Sequence, residues 1–235
     1  MKILRFSVFA ALISLSVSSC LREQDPGPLQ SDERNYNLQD FDRLEMGDAF
    51  VVTVVQSSAF SITIRGDRRN LDALNVSKLG TTLRIAYPNN AERDHETFIT
   101  IGMPALRGAA FSGASSSTIS GFKGDAIDLV LTGASISQVS IESKRADINL
   151  SGASHLTVTG KGEVMNAKIS GASELYAYNF AAGMVDADAS GASKINVFAT
   201  QTLKATASGA SLIYYKGSPS VTSSASGAST VAPDN

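Results

Sequence analysis

The sequence has no tryptophan, one cysteine and two histidines, and aromatic residues make up only 7% of it. Each shortage excludes something. A single cysteine rules out a structural disulfide within the chain. His95 and His155 lie far apart, and neither has a metal-ligand neighbour at useful spacing, so no histidine-based metal motif is present. A formal net charge of −2 lacks the basic footprint of a nucleic-acid binder. No segment sustains a 3.6-residue apolar period, which excludes a helical domain. No G-x-S-x-G and no calcium-binding nonapeptide repeat occurs. Ser120-Gly121-Phe122-Lys123 matches S-x-x-K, but no companion motif accompanies it. The apolar fraction of 43% is nevertheless ample for a core.

What the chain has in abundance is one tetrapeptide. Ser112-Gly113-Ala114-Ser115 returns as Thr132-Gly133-Ala134-Ser135, and then with Ser-Gly-Ala-Ser at glycines 152, 171, 191, 209 and 227. From Gly113 onward the intervals are 20, 19, 19, 20, 18 and 18 residues. A short fixed period marks stacked copies, each too small to bury a core alone. Around every glycine the chain alternates with period two: Leu129 and Leu131 precede Gly133, Ser137 and Val139 follow it, and the same parity holds at the other copies. Each repeat is therefore expected to hold two strands. The tetrapeptide makes the corner between them, and a variable loop such as Gly121-Phe122-Lys123-Gly124 or Gly160-Lys161-Gly162 closes the other end. The irregular interval favours an all-β, right-handed parallel β-helix over residues 108–230. Residues 231–235 form a tail. Glycine suits a corner through its backbone freedom or by letting the next coil approach. Alternation turns Ser115, Ser135, Ser154, Ser173, Ser193 and Ser211 inward, where they are expected to hydrogen-bond along the ladder.

Upstream, residues 36–107 read as a less regular β region, with alternating runs at 50–55, 61–65, 82–87 and 98–101 and one helical turn near Asn70–Leu74. The first 19 residues carry Lys2 and Arg5, an apolar run from Phe6 to Val17 and then small residues, the pattern of a secretory signal. Val17-Ser18-Ser19-Cys20 resembles a bacterial lipobox. That predicts lipidation of Cys20, attachment to the membrane through an N-terminal lipid and a polar tether over residues 20–35. Leu21 follows the cysteine, which by resemblance to enterobacterial sorting favours the outer membrane of the cell envelope, with its facing open.

Two outward columns are candidates for function. One carries Asp128, Asp147, Asn166 and Asp186. Stacked carboxylates repel unless bridged, so Asp128 and Asp147 are weak candidates for a shared cation, against a plainly solvated face as the alternative. The other column gathers Tyr176, Tyr178, Phe198 and Tyr214 beside Asn196 in a chain poor in rings. Flat rings on a rigid sheet suit a sugar or a protein partner. Cross-coil stacking, or a contact between copies in a homo-oligomer, would explain them equally. No catalytic residue and no cofactor is expected.

The lipobox, the N-terminal strands and the seven SGAS/TGAS steps together resemble the family described as putative auto-transporter adhesin, head GIN domain, lipoproteins widespread in Bacteroidetes. The resemblance covers roughly residues 37–225. It implies a parallel β-helix on the cell envelope and brings no catalytic motif. A lipid-anchored, non-enzymatic, adhesin-like protein that binds a glycan or an envelope protein is the expectation. A carbohydrate-active β-helix enzyme using the aspartate column, or a purely structural envelope protein, are the alternatives.

Overall fold

A computed structural model describes residues 27–89 and 93–234. The signal, Cys20 and the first part of the expected tether lie outside these residues. In chain order the elements are β1 (Ser31–Tyr36), β2 (Arg43–Met46), β3 (Val51–Gln56), β4 (Ser61–Asp67), α1 (Arg68–Asp72), β5 (Asn75–Leu79), β6 (Thr82–Ala86), β7 (Phe98–Met103) and β8 (Gly108–Phe111). Then follow β9 (Ser116–Leu131), β10 (Ile136–Leu150), β11 (His155–Ile169), β12 (Glu174–Ala189), β13 (Lys194–Ala207), β14 (Leu212–Lys216), β15 (Ser220–Ala225) and β16 (Thr230–Pro233). They wind into a β-solenoid whose coils pair in parallel, as the repeat requires.

Every corner is built alike. The seven repeat glycines have φ between +71° and +80°. From Gly133 onward, a Cβ on any of them would come within 2.7 Å of the preceding coil's glycine carbonyl oxygen. Both reasons for glycine therefore hold at once: a left-handed backbone and a close approach. The following alanine uses that approach. Ala134 N–H donates to the Gly113 carbonyl at 2.7 Å, Ala153 to Gly133 and Ala172 to Gly152, so the ladder runs unbroken through the turn. The six serines do point inward, none more than 1% exposed. Their hydroxyls do not bond to one another, however; among the described residues the one link between these serines is the Ser154 backbone N–H donating to the Ser173 hydroxyl at 3.2 Å. In most copies the hydroxyl donates to the carbonyl three residues earlier in its own turn, as Ser135 does to Thr132 and Ser154 to Ser151, both at 2.9 Å. The serine fastens its own corner, and at Ser115, Ser193 and Ser211 the hydroxyl also reaches a carbonyl of the preceding coil, that of Gly47, Ile169 and Gly191.

The expected loops at the far side are absent from three coils. Strands β9, β10 and β11 stay paired through Phe122, Ile141 and Lys161, and the chain bends there while extended. Only between β14 and β15, at Gly217-Ser218-Pro219, does the strand break. Phe122, expected in a loop, is 3% exposed and belongs to the core.

The solenoid also begins earlier than residue 108. Strands β2 and β3 lie parallel to β8 and β9, and Gly47-Asp48-Ala49-Phe50 occupies the corner position with no SGAS signature. Asp48 takes the glycine's place at φ +60°. Its carboxylate accepts a hydrogen bond from Tyr87 N–H at 2.8 Å, which helps hold that conformation. One more rung, β6 and β7, pairs in parallel with β2 and β3, and beyond it the pairing reverses. Strand β4 runs antiparallel to β7, β1 antiparallel to β4, and β5 antiparallel to β6, closing the N-terminal end. Residues 31–35, assigned by sequence to the tether, are thus part of β1.

The inward residues change size in opposite senses on the two sides of the corner. Before the glycine the inward residue shrinks along the stack: Phe111, Leu131, Leu150, Ile169, Ala189, Ala207. After it the inward residue grows: Ser117, Ser137, Leu156, Leu175, Ile195, Ile213. All are buried. The first two and the last two of these coils thus pair large with small, as close packing favours, while the central two pair Leu150 with Leu156 and Ile169 with Leu175. Ser117 and Ser137, facing the largest partners, satisfy each other by a hydroxyl–hydroxyl hydrogen bond.

Candidate functional site

The aromatic column stands on the outer side of β12, β13 and β14. Alternation places the neighbours Leu175, Ile195, Val197 and Ile213 at 0% exposure in the core, so Tyr176, Tyr178, Phe198 and Tyr214 face outward. All four are half-buried. Tyr176, Asn196 and Tyr214 are in register on three successive rungs. The Lys194 ammonium lies 5.6 Å from the centre of the Tyr176 ring and 5.9 Å from that of Tyr214. The His155 ring packs against Tyr176 at 5.1 Å, and its Nδ1 lies 3.4 Å from the Glu174 carboxylate.

Three details differ from the sequence expectation. Asn196, expected to be exposed among the rings, is 3% exposed. Tyr178 sits on a bulge where β12 carries extra residues relative to β13. From there its hydroxyl donates to Asp234 at 2.6 Å while the Lys216 ammonium lies 4.7 Å from its ring centre. Burial, helped by that carboxylate, raises the Tyr178 pKa well above the ordinary phenol value. Phe198 pairs with Lys216 and lies against the position of a Cβ on Gly217, at the far bend. The rings thus frame a polar centre rather than forming one stacked sheet.

The aspartate column is also assembled in register, Asp128 beside Asp147, Asn166 and Asp186. Each carboxylate has its own partner. Asp128 pairs with Arg43 at 2.8 Å, Asp147 with Arg145 at 2.8 Å and with the Asn166 amide at 2.7 Å, and Asp186 with Lys204 at 2.9 Å. The sequence pattern did not single out Arg43 or Arg145 as partners. Among the described residues no group of three or more histidine, cysteine or acidic side chains could hold a metal ion. The column lines a groove of about 620 Å³ that is polar and zipped by these pairs.

The remaining motifs do not converge. Ser120 and Lys123 both lie within β9, and Lys123 pairs with Glu142 at 3.2 Å. His95 is partly buried. Its Nε2 lies 3.3 Å from the Gly27 carbonyl and 3.9 Å from Asp67. Asp67 was not singled out by the sequence at all, yet it is 1% exposed and is the most heavily bonded acid described. It accepts two hydrogen bonds from the Arg69 guanidinium and one each from the Arg69 and Gln30 amides. The guanidinium foremost, then the amides, outweigh burial and hold its carboxyl far below the usual carboxylate range. This cluster ties the segment around Gln30 to the N-terminal end.

Comparison with known proteins places this geometry. A family model described as putative auto-transporter adhesin, head GIN domain, matches residues 40–219. The chain is similar to a solved putative adhesin from Bacteroides fragilis NCTC 9343, with a TM-score of 0.79 at 21% identity over 88% of this chain and 100% of that one. A putative adhesin from Parabacteroides distasonis ATCC 8503 gives 0.72 at 19% identity, over 88% and 98%. A protein from the same strain described as a putative lipid binding protein gives 0.71 at 20% identity, over 88% and 97%. At such identities the likeness is one of fold. No curated protein matches the chain.

Proposed function

The chain belongs to the family described as putative auto-transporter adhesin, head GIN domain, and from that premise we propose that it is a lipid-anchored, non-enzymatic, adhesin-like protein of the cell envelope. Its partner is a glycan or another envelope protein, engaged through the outward face of β12–β14. The observation that carries this reading is the grouping of Tyr176, Tyr214, Lys194 and Asn196 on a rigid sheet. Half-exposed tyrosines beside a cation are the composition of binding anchors, which concentrate in a few residues.

The architecture supports the same reading. Gln30 is fastened to Asp67 at the N-terminal end, and Cys20 lies ten residues before it in sequence. The tyrosine face is on the rungs of β12, β13 and β14, four to six rungs beyond β3, which is about 19–29 Å along the stack. A lipid at Cys20 therefore joins the membrane to the chain from the N-terminal end, with the tyrosine face further along the stack. The aspartate column, the basis of the enzymatic alternative, has its carboxylates engaged with Arg43, Arg145, Asn166 and Lys204.

A glycan array and an envelope pull-down with the wild type, and with Tyr176→Ala combined with Tyr214→Ala, test the proposal. Saturable binding that the double variant loses while it stays folded is the expected result. Sugar turnover, or binding unchanged per folded molecule, would overturn it. Cys20→Ala tests the anchor separately: the protein is expected to leave the membrane fraction or to accumulate as an uncleaved precursor.

A further inference from the structure

Asn196 is where the surface leaves its own chemistry unfinished. An amide on the outer side of a strand is ordinarily wet. This one is 3% exposed, and its Nδ2 has no hydrogen-bond partner among the described residues. Burying a donor unpaired costs about 1–3 kcal/mol. Its column need not bear that cost. The same outward position is Thr118 in β9, Gln138 in β10 and Thr157 in β11, and the Gln138 amide lies exposed to water.

What surrounds the amide is specific. Tyr176 stands one rung before it and Tyr214 one rung after, so the rings are two rungs apart, about 9.6 Å. Lys194, on the same strand, holds its ammonium within 6 Å of both ring centres. Among the described residues Lys194 makes no ion pair, because its register neighbour Glu174 lies against His155 instead. Two donors without acceptors thus lie between two aromatic faces. A ligand lying along the stack meets one ring, then the amide and the ammonium, then the second ring.

We propose that Tyr176, Lys194, Asn196 and Tyr214 form a subsite for a carboxylate-bearing sugar of a glycan chain. The proposal rests on the reading that this face is the binding surface, and it names the ligand's chemistry. The rings carry the sugar's C–H faces. The ammonium leaves the ring faces to pair with the carboxylate, and that movement opens the covered Asn196 amide to donate to a sugar oxygen. A neutral glycan would leave Lys194 unpaired. A protein partner would need a broader apolar surface than two half-buried tyrosines supply.

The chain has six tyrosines and no tryptophan, so its intrinsic fluorescence reports on tyrosine alone. Tyrosine quenching and titration calorimetry on the purified protein compare tetragalacturonic acid and an N-acetylneuraminic acid oligomer with the methyl ester of the first and with a sulfated oligosaccharide. At least one carboxylated probe is expected to bind about tenfold more tightly than the ester and the sulfated sugar, and to weaken as salt screens the pair. Lys194→Met should abolish that preference with an unchanged melting temperature, and Asn196→Ala should weaken acid and ester alike per folded molecule. Equal binding of acid and ester, equal binding of the sulfated sugar, a preference that survives Lys194→Met, or no binding of either carboxylated probe would each overturn the subsite. Should a neutral glycan or an envelope protein still bind and be lost on Tyr176→Ala with Tyr214→Ala, the adhesin-like reading stands while the carboxylate subsite falls.

Discussion

At the scale of single residues, the glycines and one acid carry the clearest consequences. Gly171 combines φ +75° with a Cβ position that would overlap the Gly152 backbone. That neighbour is itself held in the ladder by the Ala172 N–H bond to the Gly152 carbonyl, so it cannot step aside cheaply. Gly171→Ala is expected to destabilise by about 1–3 kcal/mol. Gly124 has nothing within 4 Å of its Cβ position, so Gly124→Ala should stay within about 0.5 kcal/mol of wild type. Urea melts of the pair check the contrast. Asp67 makes a pH prediction. Its folded pKa is depressed, so the stability it contributes is full above the ordinary carboxylate value of 3.8 and is lost as pH falls below it. Asp67→Asn should therefore melt below wild type at neutral pH, and the gap between the two should close as the solution is acidified below about pH 4.

At the scale of elements, the last coils set a small inward residue before the corner against a large one after it. Ala189 is small because Ile195 across the corner is large, just as Ser137 is small where Leu131 is large. Ala189→Leu adds volume with no matching reduction and should cost about 1–3 kcal/mol by overpacking, read as a lowered denaturation midpoint. The aspartate column gives a second element-scale prediction. Asp128 and Asp147 each hold a guanidinium from a different place in the chain, 85 residues and 2 residues away respectively. Millimolar Ca²⁺ is therefore expected to leave the melting temperature unchanged. An upward shift would mean that the cation displaces these pairs and stabilises the fold by mass action.

At the scale of the whole molecule, the two ends differ. Antiparallel strands close the N-terminal end, where Phe41 and Phe50 are at most 2% exposed. At the other end every residue of β15 is exposed, Val221 at 39%. A solenoid's stability is carried by contacts between adjacent coils, so protection should follow that gradient. Hydrogen exchange is expected to be slowest in β10–β12 and fastest in β15 and β16. Uniform protection along the stack would show that the rod unfolds as one cooperative unit instead.

The sequence by itself determined what a local period can encode. Period-two alternation fixes which side chains turn inward at each corner, so the buried serines and the outward tyrosines were legible from spacing alone. The glycine at every corner was legible because no other residue meets both its backbone angle and the close approach. The tertiary structure decided everything that depends on which residue lies on the next rung. Arg43 meets Asp128 only because β2 stacks on β8 and β8 on β9. The coil turning at Asp48 was invisible because an aspartate bonded to a distant Tyr87 amide replaces the signature glycine. Antiparallel closure left no mark, since a strand's alternation is the same in either direction. Asn196 shows the limit most plainly. Its outward parity follows from the sequence, but its burial comes from Tyr176, Tyr214 and Lys194 closing around it from three rungs' worth of stacking, and accessibility is a property of neighbours that a local pattern does not contain.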